Sequence, residues 1–497
     1  MIPHILRGGG IGVSLRPVGT RVGSRPESPP MPVSFADLGG LARAHFADAA
    51  LGDARRSKRL VAMAGQILSQ PRGTLPTKIA DPYQLDAAYR FFRSPGVTPD
   101  AIQAPHRRRT REELDRAEGV VPIAHDGTEL NFASLAVPGL GVLGGKNQRG
   151  FVAHNSLAVT ETGEVLGLLH QILFTPKPAP RSDTKSKIRR DPDKLSNLWR
   201  DAVEAIGPPP AGKRWVHLAD RGADITEFLD FCAERGWEYA VRAHRDRNVE
   251  IPADPDEWTA AKLKETLGDS PELGRRMQTV GGGKDRPPRR AELAVSARAL
   301  RLMPPKVARG RERGVPLAVT AIRVWEVNPP AGEEPVEWLL LAPGEASDAE
   351  SAWQRAEWYA KRWTIEEYHK GMKTGLSLES LQLTTKAGLQ NALALLSVAA
   401  VLLVMVRELS RDDARAAEPA RAWVPALWVE ALSAWRHRGG SGRIETVRDW
   451  VLALARLGGH QYQTSRKNPG WLTLLRGWNR LLTLVEGWEL QTKCGGS

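Results

Sequence analysis

Two short apolar runs that each end at an aspartate place the strongest constraint on the fold. "VVPIAHD" ends at Asp126 and "RWVHLAD" ends at Asp220. The segments "LSNLWRDAVEAIG" and "ITEFLDFCAERG" have helical spacing, and "WEYAVRAHR" predicts a further strand. Strands that alternate with helices indicate a mixed or parallel sheet with helices on its faces. We therefore predict an α/β fold.

The two aspartates take equivalent places in this pattern. The carboxyl ends of strands in α/β sheets are where ligands and catalytic groups collect, although a single aspartate there is more often a turn residue or a helix cap. A third carboxylate at the same point changes that interpretation, because three converging acids repel one another unless a cation binds them. Oxygen ligands without cysteine or histidine partners favour Mg²⁺ or Mn²⁺.

The stretch "YAKRWTIEEYHKGMK" offers two candidates for the third acid, Glu366 and Glu367. At about 100° per residue, an ideal helix gathers one hydroxyl and several charges within an arc of roughly 60°: Tyr359, Arg362, Glu366 and Lys373. Lys370 lies close to this stripe, whereas Glu367 points roughly 100° away from Glu366. An i,i+4 salt bridge on a solvated helix is the simpler alternative. The segregation favours Glu366 as a metal ligand, with the hydroxyl and the bases on DNA phosphates.

Charge and composition bear on the partner. The formal net charge of +13 favours a polyanion, with nucleic acid first and an anionic membrane second. Residues 35–111 have helical spacing and suggest a DNA-binding module, with a solvated helix face as the alternative. Its basic cluster consists of Arg55, Arg56, Lys58 and Arg59.

Cysteine usage and apolar runs bear on the compartment. Two cysteines in 497 residues make no disulfide framework or zinc cluster and fit a reducing cytosol. The longest apolar run, "ALALLSVAAVLLVMV" at 392–406, is short for a membrane span of about 20 residues, so we expect a buried core helix and no membrane partner.

Composition divides the rest of the chain. Residues 1–34, rich in Gly, Pro, Arg and Ser, predict a disordered tail, and Met31 is an alternative translation start. Residues 112–410 form the predicted α/β domain, interrupted at 243–342 by strand-like segments that we interpret as a β-rich insertion. Residues 411–497 predict a C-terminal helical region rich in tryptophan.

The pattern Y-x(2)-R-x(3)-E-x(6)-K resembles the signature of the bacterial insertion-sequence transposases of the IS-four family, and especially the branch that contains the transposon-five transposase. The similarity extends from about residue 41 to residue 488. It includes "ALGDARRSKRL", "AAYRFFRSP", "RGFVAHNSL", "GLLHQ", "DRGADI", "NPPAGEEPVEWLLL", "RWTIEEYHKGMKTG" and "ARLGG".

This resemblance implies an RNase H-like core with a catalytic triad that matches Asp126, Asp220 and Glu366. It implies two Mg²⁺ ions per site, with Mn²⁺ as a substitute, and an N-terminal module that recognises transposon ends. It also implies a C-terminal helical dimerisation region and cut-and-paste transposition through a hairpin intermediate. Trp338 matches a family tryptophan that stacks on a flipped nucleotide, and Arg242 matches a basic residue near the DNA. A core tryptophan and an exposed strand arginine are the alternatives.

The expected protein is a cytoplasmic transposase, associated with the nucleoid when it acts. It would act as a homodimer on double-stranded transposon-end DNA and target DNA. Two other functions stay open: a non-catalytic DNA-binding regulator or inhibitor of transposition, and another metal nuclease on the RNase H fold.

Overall fold

The computed structural model describes residues 13–14, 34–177, 191, 193–254, 257–280, 289–304, 314–406, 409, 413–437, 443–461 and 469–494. Most of the predicted tail at 1–34 and the loop "GGGKDRPP" at 281–288 lie outside these residues. Within the tail, Val13–Ser14 forms strand β1, which pairs with Val280 and Thr279.

The N-terminal part is helical, as predicted, with helices between Leu38 and Arg116. Several of its helices start at side chains that accept a backbone N–H, which is the usual N-cap arrangement: Asp37, Asp53, Asp81 and Thr98. Pro82 and Pro99 follow two of these caps, where a missing N–H costs nothing. The helices are α1 (Leu38–Phe46), α2 (Ala54–Ser69), α3 (Leu75–Lys78), α4 (Pro82–Arg93) and α5 (Pro99–Arg116).

Thirteen strands in the described residues form one mixed sheet. After β1 they are β2 (Val120–Asn131), β3 (Gly141–Val142), β4 (Arg149–Val159), β5 (Val165–Phe174), β6 (Arg214–Ala219) and β7 (Glu238–Arg242). The others are β8 (Asn248–Asp254), β9 (Glu257–Lys262), β10 (Gly274–Val280), β11 (Arg289–Leu302), β12 (Leu317–Glu326) and β13 (Glu337–Ala342). The main path is β1-β10-β11-β12-β13-β7-β6-β2-β4-β3, with β5 on β4 and β8–β9 on β11.

The region 243–342 is built mainly from strands, and these strands continue the sheet. Strand β13 pairs with β7 through Leu340–Arg242 and Leu341–Val241. The pairs β2–β6 and β6–β7 are parallel. The pair β7–β13 and the other strand pairs are antiparallel. A segment expected to interrupt the α/β domain therefore extends its sheet at one side.

Helices cover both faces of the sheet. On β6 and β7, Leu218 and Ala240 pack on one face with helix α9 (Ala349–Lys361), and Ala219 and Val241 pack on the other with α7 (Thr226–Glu234). Helices α6 (Leu198–Ile206) and α8 (Leu263–Gly268) join α7, and α10 (Trp363–Lys370) packs against β2 and β4. Alternation along each strand supplies these two apolar faces.

The apolar run at 392–406 belongs to helix α11 (Lys386–Met405). By length and composition it is the one helix in the described residues that could cross a membrane, and 89% of its apolar window is buried inside the protein. It packs against α2, α4, α5 and β5. The expectation of a buried core helix is confirmed.

The C-terminal region contains α12 (Asp413–Ala416), α13 (Ala426–His437), α14 (Val447–Leu457) and α15 (Trp471–Cys494). Helices α14 and α15 approach so closely that a Cβ on Gly458 would lie 1.9 Å from the Thr473 carbonyl oxygen. A Cβ on Gly477 would lie 1.9 Å from the Leu454 oxygen. The first glycine of "ARLGG", Gly458, is therefore required where these two helices cross.

Candidate active site

The two aspartates lie level with each other because β2 and β6 are parallel. Their register pairs Ala124 with Leu218, and each aspartate lies two residues further along its strand direction. The prediction that Asp126 ends a strand is wrong, since β2 continues to Asn131 through antiparallel pairing with β4. Asp126 instead lies where the pairing with β6 stops, which places it at the same edge as Asp220.

Arg362 connects Asp126 to the helix that carries Glu366. Its Nη1 lies 3.3 Å from Asp126 Oδ2, and its Nη2 lies 2.6 Å from Glu366 Oε1. The three side chains are 11%, 14% and 21% exposed. The guanidinium is therefore a largely buried cation between two carboxylates that are 240 residues apart in the chain.

The stretch from Tyr359 to Lys373 was expected to be one regular helix, but its backbone hydrogen bonding is irregular at two points. Helix α9 ends at Lys361, and Arg362 keeps α-helical backbone angles while its N–H donates to the Tyr359 carbonyl, three residues earlier. Helix α10 then ends at Lys370, followed by a single π-helical turn at Gly371–Gly375. The backbone keeps α-helical angles at Arg362 and at Gly371, so the path from Tyr359 to Lys373 is tightened at one point and widened at another, as 3₁₀ and π turns within helices do.

The three acids form one electrostatic unit. Burial raises the pKa of Asp126 to about 7; Arg362 opposes this rise, while Asp220 and Glu366 add to it. Burial also raises the pKa of Glu366, against the effect of Arg362. Asp220 accepts a hydrogen bond from Gly222 N at 2.7 Å. One of its carboxylate oxygens therefore caps a short 3₁₀ turn.

The donor set suits a hard divalent cation, because it consists of carboxylate oxygens in a poorly solvated place. Within the described part of the chain, no three acidic, histidine or cysteine side chains already surround a common point at ligating distance. The Arg362 guanidinium takes the position between two of the acids. A bound cation would have to compete with that arginine or shift it.

Tyr359, Trp338 and Arg242 form a cluster beside the acids. The Trp338 and Tyr359 rings meet edge to face at 5.2 Å, and the Arg362 guanidinium lies 5.8 Å from the Tyr359 ring. Arg242 interacts with the Tyr359 hydroxyl and donates to the Glu337 carbonyl at 2.9 Å. Trp338 is only 5% exposed within an apolar cluster. Its role in stacking on a nucleotide stays a prediction.

The two lysines of the stretch differ in exposure. Lys370 is exposed, and its ammonium lies 4.9 Å from the centre of the Trp363 ring. Lys373 is half-buried on the π turn. Lys370 is thus the more accessible of the two for contact with a phosphate.

The basic cluster of α2 divides into two pairs. Arg55, with a side chain 91% exposed, and Lys58 face solvent. Arg56 donates to the Leu51 carbonyl at 2.9 Å, and Arg59 hydrogen-bonds Gln84. Lys58 is therefore accessible to a ligand, and Arg55 is accessible but pairs with Asp53 at 2.9 Å. Arg56 and Arg59 hold the local structure.

Sequence reasoning assigned no role to Asn155, His369 or Asp224. Asn155 faces Asp126 across the β2–β4 pair and contacts His369, one turn after Glu366. Asp224 is fully buried, bonds Arg247 at 2.6 Å, and accepts the N–H groups of His244 and Arg245. The quoted segments "RGFVAHNSL" and "DRGADI" contained two of them, but side-chain pairing across the sheet is not visible in a linear pattern.

Comparison with known families found two domains in the chain. Residues 40–97 match the family model described as "Transposase DNA-binding", and residues 196–402 match "Transposase DDE domain". Asp220 and Glu366 lie inside the second match, and Asp126 precedes it. The chain therefore carries a transposase DNA-binding domain followed by a DDE transposase domain, on a mixed α/β fold.

Among solved structures, the chain is similar to a cryo-EM structure of a piggyBac transposase synaptic complex with hairpin DNA. The identity is 8% and the TM-score 0.29. The match covers 78% of this chain and 58% of that one, so this chain spans less than two thirds of the structure that it matches.

Proposed function

We propose that this protein is a DNA transposase of the IS-four type, similar to the transposon-five transposase, that cuts transposon ends and joins them to target DNA. The observation that carries the proposal is the buried bridge from Asp126 through Arg362 to Glu366, with Asp220 in the same electrostatic unit. This bridge lies within a chain that has both a transposase DNA-binding and a DDE transposase domain.

Asp126, Asp220 and Glu366 are the residues that would hold Mg²⁺, or Mn²⁺ in its place, with two ions per site expected from the family resemblance. When bound, such ions polarise a phosphodiester and make water nucleophilic at neutral pH. The protein's own contribution is a rigid, poorly solvated platform, because the strands hold the two aspartates level and the ion pair orients Glu366.

Arg362 is suited to hold the phosphate next to these acids. Its Nε is buried and has no hydrogen-bond partner among the described residues. A phosphate oxygen would satisfy that donor, and arginine binds phosphate through planar, charge-assisted hydrogen bonds. Tyr359, Lys370 and Lys373 are proposed to contact neighbouring phosphates, and Trp338 and Arg242 to contact the nucleotide at the transposon end.

The proposed reaction is a series of phosphoryl transfers. Water attacks a phosphorus atom at the transposon end, the P–O3′ bond breaks, and the leaving oxygen takes a proton to become a free 3′-hydroxyl. That hydroxyl attacks the phosphorus of the opposite strand, whose P–O3′ bond to the flanking DNA breaks, so that the transposon end closes as a hairpin and the flank leaves with a 3′-hydroxyl. A second water attacks the hairpin phosphorus and releases the transposon 3′-hydroxyl again. This hydroxyl then attacks a target phosphodiester and displaces a target 3′-hydroxyl. We propose a homodimer in the DNA complex and action on the nucleoid in the cytoplasm.

The test uses Glu366→Gln, with Glu367→Gln as the matched control on the adjacent residue. The substrate is linear DNA that carries the inverted repeats expected on either side of the gene, with MgCl₂ present. We expect Glu366→Gln to retain end binding in a gel-shift assay and lose strand cleavage, and Glu367→Gln to cleave.

Hairpin-ended products on a denaturing gel would separate this mechanism from that of another RNase H-fold nuclease. Binding by the unaltered protein without any metal-dependent cleavage would identify a regulator. Cleavage by Glu366→Gln would refute the triad.

A further inference from the structure

A buried chain of polar side chains lies under the candidate active site. We call it the polar chain, and it consists of Gln103, Gln171, Asn155, His369 and Ser397. Gln103, Asn155, His369 and Ser397 are between 0% and 8% exposed. Polar groups are costly to bury unless they are hydrogen-bonded, so their partners must be accounted for.

Each member of the polar chain hydrogen-bonds at least one other member. Gln103 Nε2 donates to Gln171 Oε1 at 2.8 Å, and Gln171 Nε2 donates to Asn155 Oδ1 at 2.7 Å and to Ser397 Oγ at 2.8 Å. Asn155 Nδ2 lies 3.0 Å from His369 Nε2. The polar chain thus links α5, β5, β4, α10 and α11, elements that are distant in sequence.

The Asn155–His369 contact has a defined direction. The Asn155 amide oxygen already accepts from Gln171, so its nitrogen is the donor and His369 Nε2 must accept. The imidazole is then neutral with its proton on Nδ1. Burial lowers the pKa of His369 to about 3, which is consistent with that form.

This contact joins the two elements that carry two of the acids. Asn155 is the residue directly opposite Asp126 in the β2–β4 register. His369 lies three residues after Glu366, on the same side of α10. The hydrogen bond therefore ties the strand beside Asp126 to the helix of Glu366, one turn below the acids.

Side-chain contacts help to fix the orientation of helix α10, because backbone hydrogen bonding is irregular at both of its ends. It is eight residues long and follows Arg362, and the π turn comes after it; both junctions keep α-helical backbone angles. Apolar packing alone tolerates small rotations and shifts, whereas a buried hydrogen bond has one geometry. Buried polar groups can contribute such specificity even where apolar side chains would be equally stable.

We propose that Asn155 and His369 are positioning residues, whose hydrogen bond holds Glu366 at the distance from Asp126 that a divalent cation requires. The inference rests on the proposed function of Asp126 and Glu366. Residues that orient a ligand without touching the metal typically alter metal affinity by roughly ten- to a hundredfold when they are removed.

The test measures Mn²⁺ binding to the full-length protein on end DNA, by the loss of the electron paramagnetic resonance signal of free Mn²⁺. His369→Phe keeps a ring but removes the acceptor, His369→Gln restores an acceptor, and Asn155→Ala removes the donor. The control is Ser270→Ala, which removes a buried hydroxyl that donates to the Thr266 carbonyl at 2.6 Å and belongs neither to the acids nor to the polar chain.

We expect His369→Phe and Asn155→Ala to raise the Mn²⁺ concentration at half-saturation by about tenfold, while end-DNA affinity is unchanged. His369→Gln and Ser270→Ala should bind Mn²⁺ as the unaltered protein does. Normal Mn²⁺ binding by His369→Phe, or equal defects in His369→Phe and His369→Gln, would overturn the positioning role.

The remaining outcomes also distinguish the two proposals. If His369→Phe does not fold, as judged by circular dichroism, Asn155→Ala decides the question by itself. If the unaltered protein binds no Mn²⁺ and Glu366→Gln makes no difference, the proposed metal site fails, and the positioning role fails with it. Normal Mn²⁺ binding by Asn155→Ala, with a defect only in Glu366→Gln, would refute the positioning role alone.

Discussion

Replacing Arg362 by methionine tests whether its guanidinium holds the acids in place when no metal is bound. Methionine keeps an unbranched side chain and removes the charge that Asp126 and Glu366 share. The two carboxylates would then face each other in a poorly solvated place without a cation. We expect the protein to be less stable and, because the phosphate-binding donor is lost, unable to cleave DNA.

The magnitude follows from the geometry. At an effective dielectric constant of about 20, unit charges about 4 Å apart interact by about 4 kcal/mol, and Arg362 makes two such contacts. The cost of burying the guanidinium, which is several kcal/mol, offsets part of that gain. Removing one partner of a buried ion pair typically costs about 3–5 kcal/mol. We therefore expect a loss of about 3 kcal/mol.

The assay is urea unfolding in EDTA, followed by circular dichroism, with Arg276→Met as the matched control. Arg276 pairs with Glu357 at 2.7 Å, but its side chain is 30% exposed, so its loss should cost about 1 kcal/mol or less. In MgCl₂, Arg362→Met should recover more stability than the unaltered protein gains, because the cation offsets the same carboxylates. Equal midpoints for the two variants in EDTA would refute this reasoning.

Three further changes test other parts of the structure. Trp338→Ala should lower the unfolding free energy by about 3–5 kcal/mol because the ring is buried against Tyr359; unchanged urea stability would show that the ring serves only the DNA. Arg55→Ala should leave stability unchanged, but weaken end binding and reduce its salt dependence by about one phosphate contact; filter binding between low and high salt measures this. Gly477→Ala should cost about 2 kcal/mol or more, since its Cβ meets a carbonyl oxygen at 1.9 Å, whereas Gly487→Ala, with open space, should be neutral or stabilising in thermal unfolding.

Much of the local structure could be predicted. The helical spacing at 35–111 marks real helices, and the apolar run at 392–406 lies in a buried helix. The choice of Glu366 over Glu367 also followed from helical spacing, and Glu366 is the glutamate that bonds Arg362. These features depend on residues within a few turns of one another, so the linear pattern contains them.

The course of β2 past Asp126 could not be predicted in the same way. Whether a strand stops at an acid depends on its neighbours, and here β4 supplies pairing as far as Asn131. The position of Arg362 between two carboxylates could not be predicted either, since Asp126 is 236 residues away in the chain.

The sequence by itself determined the α/β alternation, the helical N-terminal part, the basic surplus and the three acids as candidates for one site. Only the tertiary structure decided that the strands of 243–342 extend the common sheet, that Trp338 is buried, and that Asn155 meets His369. The physical reason is the range of the interactions. Periodicity and capping are local, whereas strand pairing, helix crossing and the bridge of Arg362 depend on which distant segments share one core.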